Sequence, residues 1–192
     1  VYQMPSPVRN RLSHYELEPH IDDWCDWAIG QQIDQSIISF LRYQPHELYN
    51  FNPESYSFPT PRSWSFVDKR LSDSHLDEET IYYGVSSLVG DGAAGAFISF
   101  RQIYKELPDV DYLLDNPHTY TKTDNPALMY ALTGALAARA EDARMDKILK
   151  VVDKLPVEFQ VVAIKGCISQ DNRVLEHPAT EKWVTDNANV IL

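Results

Sequence analysis

Residues 126–155 read PALMYALTGALAARAEDARMDKILKVVDKL, and this stretch decides the fold class. Leu128, Ala131, Leu132, Ala135 and Leu136 recur at spacings of three and four, and so do Met145, Ile148, Leu149, Val152 and Leu155. A helix turns once in about 3.6 residues, so this spacing lays the apolar side chains along one face. A half-buried strand would need strict alternation instead.

The same period continues on both sides. Ala94, Phe97, Ile98, Arg101 and Tyr104 carry it upstream, and Val157, Val161, Ile164 and Ile168 downstream. Toward the N-terminus, the starts of helices are written in capping chemistry. Asp34 precedes a stripe of Ile37, Ile38 and Leu41. Thr60-Pro61 pairs a hydroxyl N-cap with proline at the first helical position, ahead of Trp64, Val67 and Leu71. Asp77-Glu78-Glu79 places acidic groups at the positive end of a helix carrying Ile81, Val85 and Leu88. Only Leu12 to Leu17 alternates, with Leu12, His14 and Glu16 opposite Ser13, Tyr15 and Leu17. The expected fold is mainly α, with about eight to ten helices in a multi-helix bundle or stacked pairs. At most one short N-terminal strand is expected.

Composition narrows the function classes. The chain has 192 residues, 44% hydrophobic and 23% charged, enough for a core without disulfides or metals. Its two cysteines, Cys25 and Cys167, imply no disulfide framework and favour a reducing, cytoplasmic setting. Seventeen Lys and Arg stand against 28 Asp and Glu, a formal charge of −11. The bases are scattered, whereas a nucleic-acid binder needs a basic face to neutralise phosphates. Direct DNA or RNA binding is therefore not expected. No run of 18 apolar residues suggests a membrane span, and the first residues do not read as a signal peptide.

Three local patterns carry possible chemistry. Gly90-Asp91-Gly92-Ala93-Ala94-Gly95 fits the letters of a dinucleotide fingerprint, G-x-G-x-x-G. That motif works only between a strand and a helix, with an acid near 20 residues on. Asp109 and Asp111 lie at that distance, but Leu107-Pro108-Asp109-Val110 is no strand. The simpler reading is a tight helix–helix turn, with Gly90 as C-cap and Asp91 as N-cap. Asp22, Asp23 and Asp26 cluster around Trp24 and Trp27. They read as the solvated start of a helix whose tryptophans enter the core, rather than a cation site. His14, His20, His46, His75, His118 and His177 show no H-x-x-x-H spacing, so a zinc site has no support, and no Gly-Lys pair provides a phosphate loop.

Two further segments bear a family likeness. Met4-Pro5-Ser6-Pro7-Val8-Arg9-Asn10-Arg11-Leu12 and Phe58-Pro59-Thr60-Pro61-Arg62-Ser63-Trp64 bracket Trp24-Cys25-Asp26-Trp27-Ala28-Ile29-Gly30, Ile37-Ile38-Ser39-Phe40-Leu41, Pro45, Leu48 and Phe51. In this order they resemble the C-terminal part of MoxR-like AAA+ ATPases of bacterial and phage type, over roughly residues 1–105 and more loosely beyond. The resemblance implies that 1–18 is a remnant of the ATPase core, 19–72 its helical lid, and 73–192 a C-terminal helical region. It assigns Arg62 to the lid arginine that reads the γ-phosphate of ATP, and Arg11 to the finger that stabilises phosphoryl transfer in a neighbouring subunit, with Arg9 as the alternative. It further implies an ATP-driven, cytoplasmic, homo-oligomeric ring that remodels a protein partner with Mg-ATP. The present chain, without Walker A or Walker B, would bind no cofactor and turn over no ATP by itself. Leu12 departs from the aromatic residue common at that place. A free-standing acidic helical adaptor for a protein partner is the second reading, and a dinucleotide enzyme built on Gly90–Gly95 the third.

Overall fold

The computed structural model describes residues 4–73 and 76–191. His75 lies outside them. The helices run α1 (Ser6–Arg9), α2 (Ile21–Gly30), α3 (Gln35–Tyr43), α4 (Pro61–Leu71), α5 (Glu78–Val89), α6 (Asp91–Lys105), α7 (Val110–Asp115), α8 (Pro126–Ala137), α9 (Met145–Val152), α10 (Val157–Gln170), α11 (Pro178–Asp186) and α12 (Ala188–Ile191). The protein is a mainly α multi-helix assembly, as the periodicity requires.

Local side-chain capping sets where half of these helices begin. The Asp34 carboxylate accepts from the Ser36 N–H at 2.8 Å, Asp77 from Thr80 at 2.7 Å, and Asn125 from Ala127 at 3.0 Å. Each satisfies an orphan first-turn donor, a contribution of about 1 kcal/mol.

The organising element is α8. Ala127, Met129 and all of residues 131–137 are buried, so this helix has no polar face and must lie inside. It packs on α3 to one side and α10 to the other. Small residues permit the approach. A Cβ added to Gly134 would stand 2.0 Å from Ser39 Oγ of α3, and one added to Gly166 of α10 would stand 2.9 Å from the Ala137 Cβ. Two apolar cores meet at this wall. The first runs from Trp24 to Phe100 and takes in Ala127 and Ala131 of α8. Phe40 is its hub, with ring centroids 5.5 Å from Trp64, 5.4 Å from Phe97 and 5.7 Å from Phe100. The second runs from Val110 to Trp183 and takes in Met129, Leu132, Ala135, Leu136 and Ala137.

Three expectations need correction, while the limit of at most one strand holds. Leu12 to Leu17 forms none, nor does any other described residue, and residues 4–20 are exposed throughout. An isolated strand has no neighbour for its backbone groups, so weak alternation alone does not sustain one. Trp24 is buried but Trp27 is 46% exposed, tilted against Trp24 with centroids 6.1 Å apart. On α10 the buried face is Phe159, Ala163, Ile164, Gly166 and Cys167, while Val157 is 42% exposed. That helix meets α8 and α2, with Gly166 close against Ala137 of α8, while Val161 and Ile168 only flank the core and Val157 in the first turn faces outward. Finally, Gly90 alone caps both α5 and α6, at φ 84°, and Asp91 is already helical. A side chain at that φ would be strained, so glycine is required there.

Candidate functional site

Arg62 sits in the first turn of α4, and the turn is held from three directions. Thr60 Oγ1 accepts from the Ser63 N–H at 3.0 Å, and Ser63 Oγ accepts from the Thr60 N–H at 2.8 Å. This reciprocal pair is a capping box. Pro61 fixes φ at the first position, and its carbonyl accepts from the Trp24 indole N–H at 3.2 Å. Two residues on, Trp64 is fully buried, its indole N–H donating to the Glu47 carbonyl at 2.7 Å. Positions two apart on a helix lie about 200° around the axis. With Trp64 anchored inward, Arg62 is carried to the outside, where it is exposed.

Arg62 makes no ion pair among the described residues. The nearby acid Asp68 is engaged elsewhere, accepting from the Asp34 N–H at 2.8 Å. The result is an unpaired guanidinium on a rigid mount, a group able to read a phosphate or carboxylate bidentately.

Arg9 ends α1 and Arg11 follows it, both exposed. No side-chain hydrogen bond or ion pair among the described residues ties either to the helical body. A bond between His14 Nε2 and the Arg9 carbonyl, 2.8 Å, stays within the same segment. The structure does not join these arginines to Arg62 in one site.

The start of the Gly90–Gly95 stretch, Gly90 to Ala93, borders a cavity of about 250 Å³ with Ser57, Phe58 and Pro59. What precedes it is helix α5, not a strand, so the βαβ setting of a dinucleotide site is missing. Asp91, whose carboxylate accepts from the Ser86 hydroxyl, is among the lining residues, and an acid at that position opposes a pyrophosphate.

Neither cysteine is a reactive thiol. Burial pushes the Cys25 thiol up to about 11, against the pull of the Arg42 guanidinium beside it, and burial pushes Cys167 up to about 12. Among the described residues, no group of three His, Cys, Asp or Glu side chains is arranged to hold a metal ion. No described helix is long and apolar enough to cross a membrane.

Two clusters had no signature in the sequence. Asp111 of α7 receives Arg139 Nε at 3.0 Å and Arg144 Nη1 at 2.8 Å from 28 and 33 residues away. Arg42, Tyr130 and Lys165 meet around a second cavity from three separate helices. Neither has a fixed spacing that a reader of the chain could detect.

No known family model, curated protein or solved structure matches the chain.

Proposed function

We propose that the chain is the lid and C-terminal helical region of a MoxR-like AAA+ ATPase, with Arg62 as the arginine that reaches from the lid to ATP. The observation that carries this reading is the mounting of Arg62: exposed, unpaired, and aimed by a capping box, a proline and a buried tryptophan. Stabilising charge on a transferring phosphoryl group needs a positioned cation, and rigid placement is what such a mount provides. The phosphate loop and the magnesium ligands belong to the ATPase core joined to this chain, and so does the hydrolytic chemistry. Arg11, or Arg9 beside it, lies on an exposed segment that docks on that core and serves the neighbouring subunit of a cytoplasmic ring.

One observation favours an adaptor as the second reading. Met4, Val8, Leu12, Tyr15 and Leu17 are all large, apolar and exposed on the N-terminal segment, which is the composition of a docking sequence. The ATPase reading places the same residues against its core.

Steady-state ATP hydrolysis by the ATPase that carries this chain tests the assignment. Arg62→Ala is expected to lower turnover by at least about tenfold, since such arginines supply several kcal/mol to phosphoryl transfer. It should leave the melting temperature unchanged, because an exposed unpaired arginine contributes little to stability. Trp64→Ala should instead cost about 3–5 kcal/mol of folding stability. Unchanged turnover in the Arg62 variant, at low and at saturating ATP, removes the role.

A further inference from the structure

Four arginines of the described chain are half-buried: Arg42, Arg101, Arg139 and Arg144. Three have carboxylate partners. Arg101 pairs with Glu78, Arg139 with Asp111, and Arg144 with Asp111 and Glu141. Arg42 has none, in a chain whose 28 acids outnumber its 17 bases. The Cys25 thiol beside it is a weak acceptor, so most of the five donors of this partly desolvated guanidinium have no strong partner, which is costly.

What surrounds Arg42 is a cavity of about 220 Å³ between α2, α3, α8 and α10. Gly166 makes room for the guanidinium, since a Cβ there would lie 3.0 Å from Arg42 Nη1. Two more donors line the space. Lys165 makes no ion pair, and the Tyr130 hydroxyl has no hydrogen-bond partner among the described residues. The Tyr130 ring is fixed by Tyr43 and Phe159, with centroids 5.8 and 5.1 Å away. Ile21, Val161 and Val162 supply apolar wall, and Asp22 supplies one opposing charge.

We infer that this cavity binds a small aliphatic monocarboxylate, its carboxylate held by Arg42 with Lys165 and Tyr130, and its chain laid against Ile21, Val161 and Val162. The charges fit a monoanion. On the lining itself Arg42 and Lys165 contribute two positive charges and Asp22 one negative, a net of +1, and Glu158 adds a negative charge near Tyr130 that disfavours any more highly charged anion. A dianion such as phosphate would face Asp22 with uncompensated charge and would leave the apolar wall bare. The cavity has room for a short-chain acid. This site stands apart from Arg62 and does not depend on the ATPase reading.

Sodium hexanoate titrated into the full chain, followed by calorimetry and by NMR shifts, tests the site. Hexan-1-ol and inorganic phosphate serve as comparison ligands. Hexanoate should bind saturably and at least about tenfold more tightly than hexanol, the factor expected for a charge-assisted hydrogen bond. Arg42→Gln should remove about the same factor, and Lys165→Gln about threefold. Lys165 is exposed, so its variant folds and decides the matter even where Arg42→Gln does not. Equal affinity for hexanol, tighter binding of phosphate, no saturable hexanoate binding, or an unchanged affinity in Lys165→Gln would each overturn the assignment.

Discussion

Gly166→Ala tests whether α8 and α10 touch as closely as the structure shows. The new methyl would lie 2.9 Å from the Ala137 Cβ, where carbon atoms ordinarily rest about 3.5–4.0 Å apart. The other close atom, Arg42 Nη1 at 3.0 Å, is the end of a flexible side chain and can swing away. Ala137 Cβ is fixed to its backbone, so the helices themselves must separate by about 0.6–1.1 Å, the shortfall in that contact. Overpacking of this kind costs about 1–3 kcal/mol. Alanine gains about 1 kcal/mol over glycine inside a helix. The net is a loss of about 0–2 kcal/mol, at most about 8 °C in melting temperature for a chain of this size. Ala137→Gly alone should lose about 1 kcal/mol through helix propensity. In the double variant the propensities cancel and the clash is gone, so stability should return to within about 0.5 kcal/mol of the parent. Urea unfolding followed by circular dichroism measures all three. A Gly166→Ala variant as stable as the parent, with additive behaviour in the double variant, would refute the close packing.

Ser39→Ala should stabilise the fold by about 1 kcal/mol, because Ser39 Oγ is buried without a partner; a loss on thermal melting would mean that the hydroxyl is engaged. The Arg139 guanidinium, with Arg144 behind it, holds the Asp111 carboxyl below its ordinary value of 3.8. A carboxyl with a lowered folded pKa contributes stability above its unfolded pKa and loses it as pH falls through the folded one. Asp111→Asn should therefore melt lower than the parent at pH 7, and the gap should close as pH falls below 3.8; a gap that persists in acid contradicts the pairing. Cys25 and Cys167, both buried with raised thiol pKa values, should react with a thiol reagent at pH 8 only after denaturant is added. Rapid labelling of the native protein would show that one is accessible.

What could be read from the chain was what short stretches decide for themselves. Asp34, Thr60-Pro61 and Asp77 announce helix starts because a cap bonds within three residues of itself. The outward course of Arg62 follows from the same local rule, once Trp64 is turned inward. Two of the misreadings involve a third helix. Whether Trp27 enters the core depends on what lies beyond Trp24, and which side of α10 is buried depends on α8 and α2 together. The Leu12–Leu17 alternation was true of the sequence but had no neighbouring strand to give it meaning. Arg42, Tyr130 and Lys165 come from residues 42, 130 and 165, and the space between them exists only after four helices have packed.

The order in which the chain is made leaves one surface waiting. By the time residue 100 has left the ribosome, α2 to α5, most of α6 and the aromatic group around Phe40 are available to assemble. The face of α3 around Ser39 is not yet covered, because its cover is Gly134 and its neighbours on α8. Adding residues 101–137 takes about 2–7 s at roughly 5–20 residues per second. For that interval the nascent protein carries a greasy groove of its own making, open to whatever chaperone or stray hydrophobic segment reaches it before the eighth helix arrives.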